Sequence, residues 1–192
     1  FVCNQDRHTV SVFDTSRTLP VPVKELPVVR EPVSIAATPD RRYVVVANQI
    51  PLGRSTDATL AAEVSILDAR ELAVAATVKL PPGSTAASGI CTSPDGKWAY
   101  VVHGVGHFQL PMTQLERGWV NTYALSIIDI AQGRRLATLL LDDLMQGAAD
   151  PWSVACANDG SRLYISHAGV HEVSIVEIAR LHDLLAGKVS SE

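Results

Sequence analysis

The chain states one pattern four times, and that repetition constrains its fold more than any single motif does. Glu31-Pro-Val-Ser-Ile-Ala-Ala-Thr-Pro-Asp-Arg-Arg-Tyr-Val-Val-Val-Ala-Asn48 is completed after an interruption by Glu63-Val-Ser-Ile-Leu-Asp68. Ser88 to His103 with Ala124 to Asp129, and Pro151 to His167 with Glu172 to Glu177, repeat it. Phe1 to Asn4 with Thr9 to Asp14 supply part of a further copy. Repetition at this period in strand-like apolar text reads as a propeller or a related array.

Each copy parses into four strands. A first strand such as Val33–Thr38 runs into a Pro-Asp-X or Asn-Asp-Gly turn, in which the aspartate bonds its own backbone and glycine tolerates positive φ. A second strand follows at once (Tyr43–Ala47, Trp98–Val102, Leu163–Ser166). The third alternates Val or Ile with Ser and closes on an acid (Val10–Phe13, Val64–Leu67, Leu125–Ile128, Val173–Val176), and Val21–Leu26, Val74–Leu80 and Leu136–Leu141 carry the fourth. Alternation, β-branched residues and turn punctuation agree.

The parse predicts an all-β fold, a β-propeller of four-stranded antiparallel blades. About three and a half blades are present, a partial ring, whereas closed propellers have at least four. A ring of this size is expected to be completed by another polypeptide segment or chain, and by itself to be marginally stable or self-associating, because its inner strands stay uncovered. After Glu177 the apolar period changes: Ile178, Leu181, Leu184 and Leu185 fall on one side of a short helix closed by Gly187, where a fourth strand should come, either as an insertion within a longer blade or as the start of a departure from the ring. The expected domains are therefore a propeller over 1–178 and a helix with a polar tail over 179–192.

Composition removes whole classes of function. The net charge is −4 and no basic-aromatic patch occurs, so nucleic acid is not an expected partner. Apolar residues make up 47% of the chain but come in short broken runs, so no membrane insertion is expected. The count of three cysteines is odd, which excludes a complete disulfide framework. Cys91 and Cys156 occupy neighbouring columns of the first strand, where side chains face opposite ways, so free thiols are the expectation for both.

The strand ends Phe1-Val-Cys-Asn4, Val45-Val-Ala-Asn48, Tyr100-Val-Val-His103 and Tyr164-Ile-Ser-His167, each followed by a Thr-Val-Ser-Val-Ile-Asp type strand, resemble the signature of the YVTN β-propeller family. Gln109 to Asn121 and Ala148 to Cys156 are similar to segments of bacterial YVTN propellers joined to a di-haem cytochrome c peroxidase-like module. The resemblance implies an exported, periplasmic or extracellular protein associated with redox chemistry, with a cytochrome c-type module as a partner. The sequence holds no Cys-x-x-Cys-His, so no c-type haem attaches here and none is expected as a cofactor of this segment.

Two corners of the repeat are expanded. Asn48 to Val64 leaves fifteen residues and His103 to Leu125 leaves twenty-one, where the other copies leave five. Loops this long are functional or disordered, and the second is too apolar for disorder. Its Phe108, Leu110, Met112, Leu115, Arg117 and Trp119 form the expected binding surface, ordered on the face shared with His103, together with Trp152 on an innermost strand.

His103 and His167 share a repeat column, and His107 and His171 follow each by four residues. Imidazoles converging at strand ends suit Zn²⁺, Cu²⁺ or a haem iron. The same column holds Asn4 and Asn48, which instead points to hydrogen bonding at a turn, so no metal is expected. Ser11, Ser65, Ser126 and Ser174 recur in every copy without a catalytic partner at definable spacing, and Asp14, Asp68, Asp129 and Glu177 are expected to fix the turn that follows them. The leading expectation is a non-catalytic binding or scaffold module of a larger exported redox protein. The alternatives are a metal- or haem-dependent redox enzyme with its site on the loop-rich face, and a surface-layer or adhesive repeat protein.

Overall fold

A computed structural model describes residues 1–107, 120–143 and 147–188. Among them are fourteen strands in four antiparallel sheets and one short helix, an all-β partial propeller. The first blade holds β1 (Val2–Asn4), β2 (Thr9–Asp14) and β3 (Val21–Pro27). The second holds β4 (Pro32–Ala37), β5 (Tyr43–Asn48), β6 (Glu63–Asp68) and β7 (Ala73–Lys79). The third is built from β8 (Ser84–Thr92), β9 (Trp98–Gly106), β10 (Asn121–Asp129) and β11 (Arg134–Leu140). The fourth has β12 (Pro151–Cys156), β13 (Arg162–His167) and β14 (Glu172–Glu177), followed by α1 (Ile178–Leu185). No described helix is long and apolar enough to cross a membrane.

Each blade uses both faces, which explains why the second strands read as unbroken apolar runs. Successive side chains of a strand point to opposite faces, so Val44 and Val46 turn toward the first blade and Val45 toward the third. Three apolar clusters result, one per junction. Val10, Val12 and Leu26 meet Val44, Val46 and Leu67. Val45, Val64 and Ile66 meet Ile90, Ala99, Val101 and Ile128. Tyr100, Leu125 and Ile127 meet Val154, Leu163 and Ile165. Each such aliphatic side chain stabilises its junction by roughly 1.5–3 kcal/mol when fully buried.

The turn aspartates do what their spacing predicts. Asp40 accepts from the Thr38 hydroxyl and the Arg42 amide, Asp95 from the Ser93 hydroxyl and the Lys97 amide, and Asp159 from the Ser161 amide and hydroxyl. After the third strand, Asp14 accepts from the Ser16 amide, Asp68 from the Arg70 and Glu71 amides, and Asp129 from the Gln132 amide. Glu177 differs, because it is the N-cap of α1 and makes no side-chain cap bond.

The helix comes where a fourth strand would and departs from the blade: among the described residues β14 pairs only with β13, and α1 turns back onto the third blade. There Ile178 and Leu181 are buried in the cluster around Tyr100, and the His182 ring lies 5.2 Å from that of Trp98. One expectation is corrected: the long insertion is shorter than its spacing suggests. β9 and β10 extend their ladder to Gly106 and Asn121, and the His107 amide donates to the Val120 carbonyl at 2.8 Å.

Candidate functional site

Phe108, Leu110, Met112, Leu115, Arg117 and Trp119 lie outside the described residues. The described chain on either side of them ends in β9 and begins again in β10.

The histidine column has one geometry. His103 Nε2 is 2.8 Å from Ser126 Oγ and His167 Nε2 is 2.8 Å from Ser174 Oγ. In the other blades Asn48 Nδ2 donates to Ser65 Oγ at 3.0 Å and Asn4 Nδ2 to Ser11 Oγ at 2.7 Å. The repeated Asn or His and the repeated Ser are thus partners across adjacent strands, where the sequence pointed to a bond at a turn. The two signals were visible as separate columns; only strand pairing joins them.

The partners also fix each tautomer. A carbonyl can only accept, so Nδ1–H of His103 donates to the Gly104 carbonyl at 3.1 Å and that of His167 to the Ala148 carbonyl at 3.0 Å. Nε2 then accepts from the serine. Behind Ser126 the chain continues through Thr138 Oγ1 at 2.6 Å to the Arg135 guanidinium at 3.1 Å. Burial, opposed by the Gly104 bond and aided by the Arg135 charge, pushes His103 down to about 4, so its ring is neutral at pH 7.

With both nitrogens of His103 and His167 engaged, neither ring fits a haem or a metal as a ligand without losing a buried bond. His107 Nε2 is 3.5 Å from Thr122 Oγ1, and His171 sits exposed in a turn at φ 58°. The structure does not bring the four together, and the described residues contain no group of three or more His, Cys, Asp or Glu arranged to hold an ion.

Trp152 belongs to a different surface. It occupies a bulge in β12 between the paired Pro151 and Ser153. Ser88, in the same repeat column, donates to the Pro151 carbonyl of the next blade at 2.6 Å, so this column points toward the following blade. On the fourth blade no described element follows on that side. Trp152 is 69% exposed, Tyr164 39%, Val173 61% and Ile175 58%. The last three match Tyr100, Leu125 and Ile127 of the third blade, which are 0–1% exposed. Beside them the outer edge of β14 has no strand partner among the described residues. The fourth blade therefore presents an apolar face and a bare edge together.

No protein-family model matches the chain. Its sequence is 33% identical over 100 residues to hydrazine synthase subunit beta of Kuenenia stuttgartiensis, a stretch covering 52% of this chain and 26% of that protein. The chain thus matches about a quarter of the curated relative's length. The solved structure of Kuenenia stuttgartiensis hydrazine synthase superposes with a TM-score of 0.70 at 22% identity, over 97% of this chain and 63% of that chain. The fold is shared.

Proposed function

We propose that this chain is a non-catalytic β-propeller module of a larger redox protein, and that its fourth blade docks a further blade of the same repeat. The observation that carries the reading is the match between exposed Tyr164, Val173 and Ile175 and their buried counterparts Tyr100, Leu125 and Ile127. A side chain placed where its repeat mates bury theirs calls for the same kind of neighbour, one with branched aliphatic residues like Leu163 and Ile165. Apolar faces of this sort on a folded protein mark interaction sites, and an unpaired strand edge adds backbone bonds to the apolar contact.

The propeller module is residues 1–178 and the short helix with its polar tail is 179–192; α1, which begins at Ile178, ties the fourth blade to the third. The curated relative is named as a subunit, which supports assembly with other polypeptides, and a hydrazine-forming enzyme fits the redox association. Any haem belongs to a separate cytochrome c-type module, and the place of work is the periplasm or the extracellular space.

The test is sedimentation of the purified chain over a range of concentrations, beside the double variant Val173→Lys/Ile175→Lys. The wild type is expected to associate through its open face as concentration rises, and the variant to stay monomeric with an unchanged circular dichroism spectrum. Equal sedimentation of both proteins as monomers throughout would refute the docking face.

A further inference from the structure

Cys91 and Cys156 lie on the innermost strands of neighbouring blades, β8 and β12. Strand alternation sends their side chains to opposite faces of a blade. Because the blades themselves are neighbours, opposite faces meet. Cys91 is on the face that the third blade turns to the fourth, and Cys156 is on the face the fourth turns back. Both pack on the cluster at this junction, and the Cys156 backbone lies near enough to Cys91 to act on its thiol.

The preceding junction shows what this position does. Thr92, the repeat mate of Cys156, crosses to the second blade and donates to the Ala37 carbonyl at 3.0 Å. The inner strands of the third and fourth blades also approach closely: a Cβ on Gly89 would stand 2.7 Å from Ser153 Cα. Side chains projecting between strands this near have little room to avoid each other.

We propose that Cys91 and Cys156 are a modification site, a thiol pair that forms one disulfide between the third and fourth blades by exchange with a disulfide oxidant such as oxidised glutathione. Cys156 is the entry point, since Cys91 lies deeper in the junction. The Cys156 thiol loses its proton and attacks a sulfur of the oxidant, giving a mixed disulfide and releasing one glutathione thiol. Cys91 loses its proton and attacks the Cys156 sulfur, closing the bond and releasing the second. Two protein thiols are oxidised and one external disulfide is reduced. Burial raises both thiols and pushes Cys91 up to about 12, so the exchange is slow near neutrality and speeds up with alkalinity. The bond would fasten the blade that carries the open docking face to the rest of the module.

The experiment incubates the full chain with oxidised glutathione at about pH 8.5, blocks remaining thiols with an alkylating reagent without denaturant, and maps peptides by mass spectrometry. A cross-linked peptide joining Cys91 to Cys156, lighter by two hydrogens, with Cys3 alkylated or glutathionylated, is expected. Oxidation should raise Tm by about 5 °C or more, a rise that Cys3→Ser keeps and that Cys91→Ser and Cys156→Ser each abolish. A glutathione adduct that persists on Cys156 while Cys91 stays a thiol would overturn the proposal. So would two unmodified thiols after exposure that glutathionylates Cys3, or a cross-link that forms only in urea.

Discussion

His103 Nε2 accepts from Ser126 Oγ at 2.8 Å across β9 and β10, and each of the other three blades has an equivalent bond between an Asn or His and a Ser. Ser126→Ala strips the buried His103 of its partner and leaves Thr138 with one fewer. The expected loss is about 1–3 kcal/mol of stability, read from urea unfolding midpoints. His103→Asn reproduces the pair used in the first two blades and is expected to cost less than the serine substitution.

The same histidine gives the chain a pH dependence. Its folded value is near 4, and an unfolded imidazole titrates near ~6.5. The unfolded state therefore takes up the proton first as pH falls. Stability from this group is full above about pH 6.5 and is lost on the way down to about pH 4, by roughly 3 kcal/mol in all. Unfolding midpoints measured across that window should fall, and the fall should shrink in His103→Asn. The aspartates capping the turns, held below their ordinary range by hydrogen bonds, act at lower pH.

Gly89 is expected to tolerate no side chain. The atoms nearest its added Cβ would be backbone, Ser153 Cα at 2.7 Å and Trp152 O and Val154 N at 3.0 Å. Gly89→Ala must push the inner strands of the third and fourth blades apart, at about 1–3 kcal/mol. Chemical denaturation would detect it, and an unchanged midpoint would mean that the strands shift freely.

Arg41 is the odd member of its turn column. It adopts φ 58° where Gly96 and Gly160 adopt 71°, and a residue with a Cβ pays roughly 1–2 kcal/mol for that region. Arg41→Gly should relieve part of this strain while leaving more entropy to lose on folding. A net gain of up to about 1 kcal/mol is expected, visible as a higher Tm.

Leu181 tests whether α1 is part of the propeller. It is buried beside Tyr100, Leu163 and Ile178, so Leu181→Ala should cost about 2–5 kcal/mol. A helix that merely trailed from the last strand would lose almost nothing, and thermal unfolding distinguishes the two.

Strand limits were legible because the repeat gives several independent readings of each element. Predicted Val21–Leu26 and Val74–Leu80 fall within a residue of β3 and β7. The longest insertion misled by length alone: nothing in Gly104 to Val105 or Asn121 to Ala124 announces that the ladder continues, because pairing depends on what lies opposite. In the sequence Trp152 reads as an aromatic on an inner strand. That it shares a face with Val173 and Ile175 follows from a bulge and a register that no single strand displays.

What the sequence determined by itself was the blade: its order of strands, its turns, and the columns of Ser and Asn or His. These are local matters, set by alternation and by side chains that bond their own backbone. Only the tertiary structure decided what those columns touch. The serine met its histidine when β9 paired with β10, α1 returned to the third blade because its apolar side found Tyr100 there, and Cys91 came to face Cys156 because separate blades stack face to face. A strand's period says which two faces its side chains take, and packing decides what stands against each face.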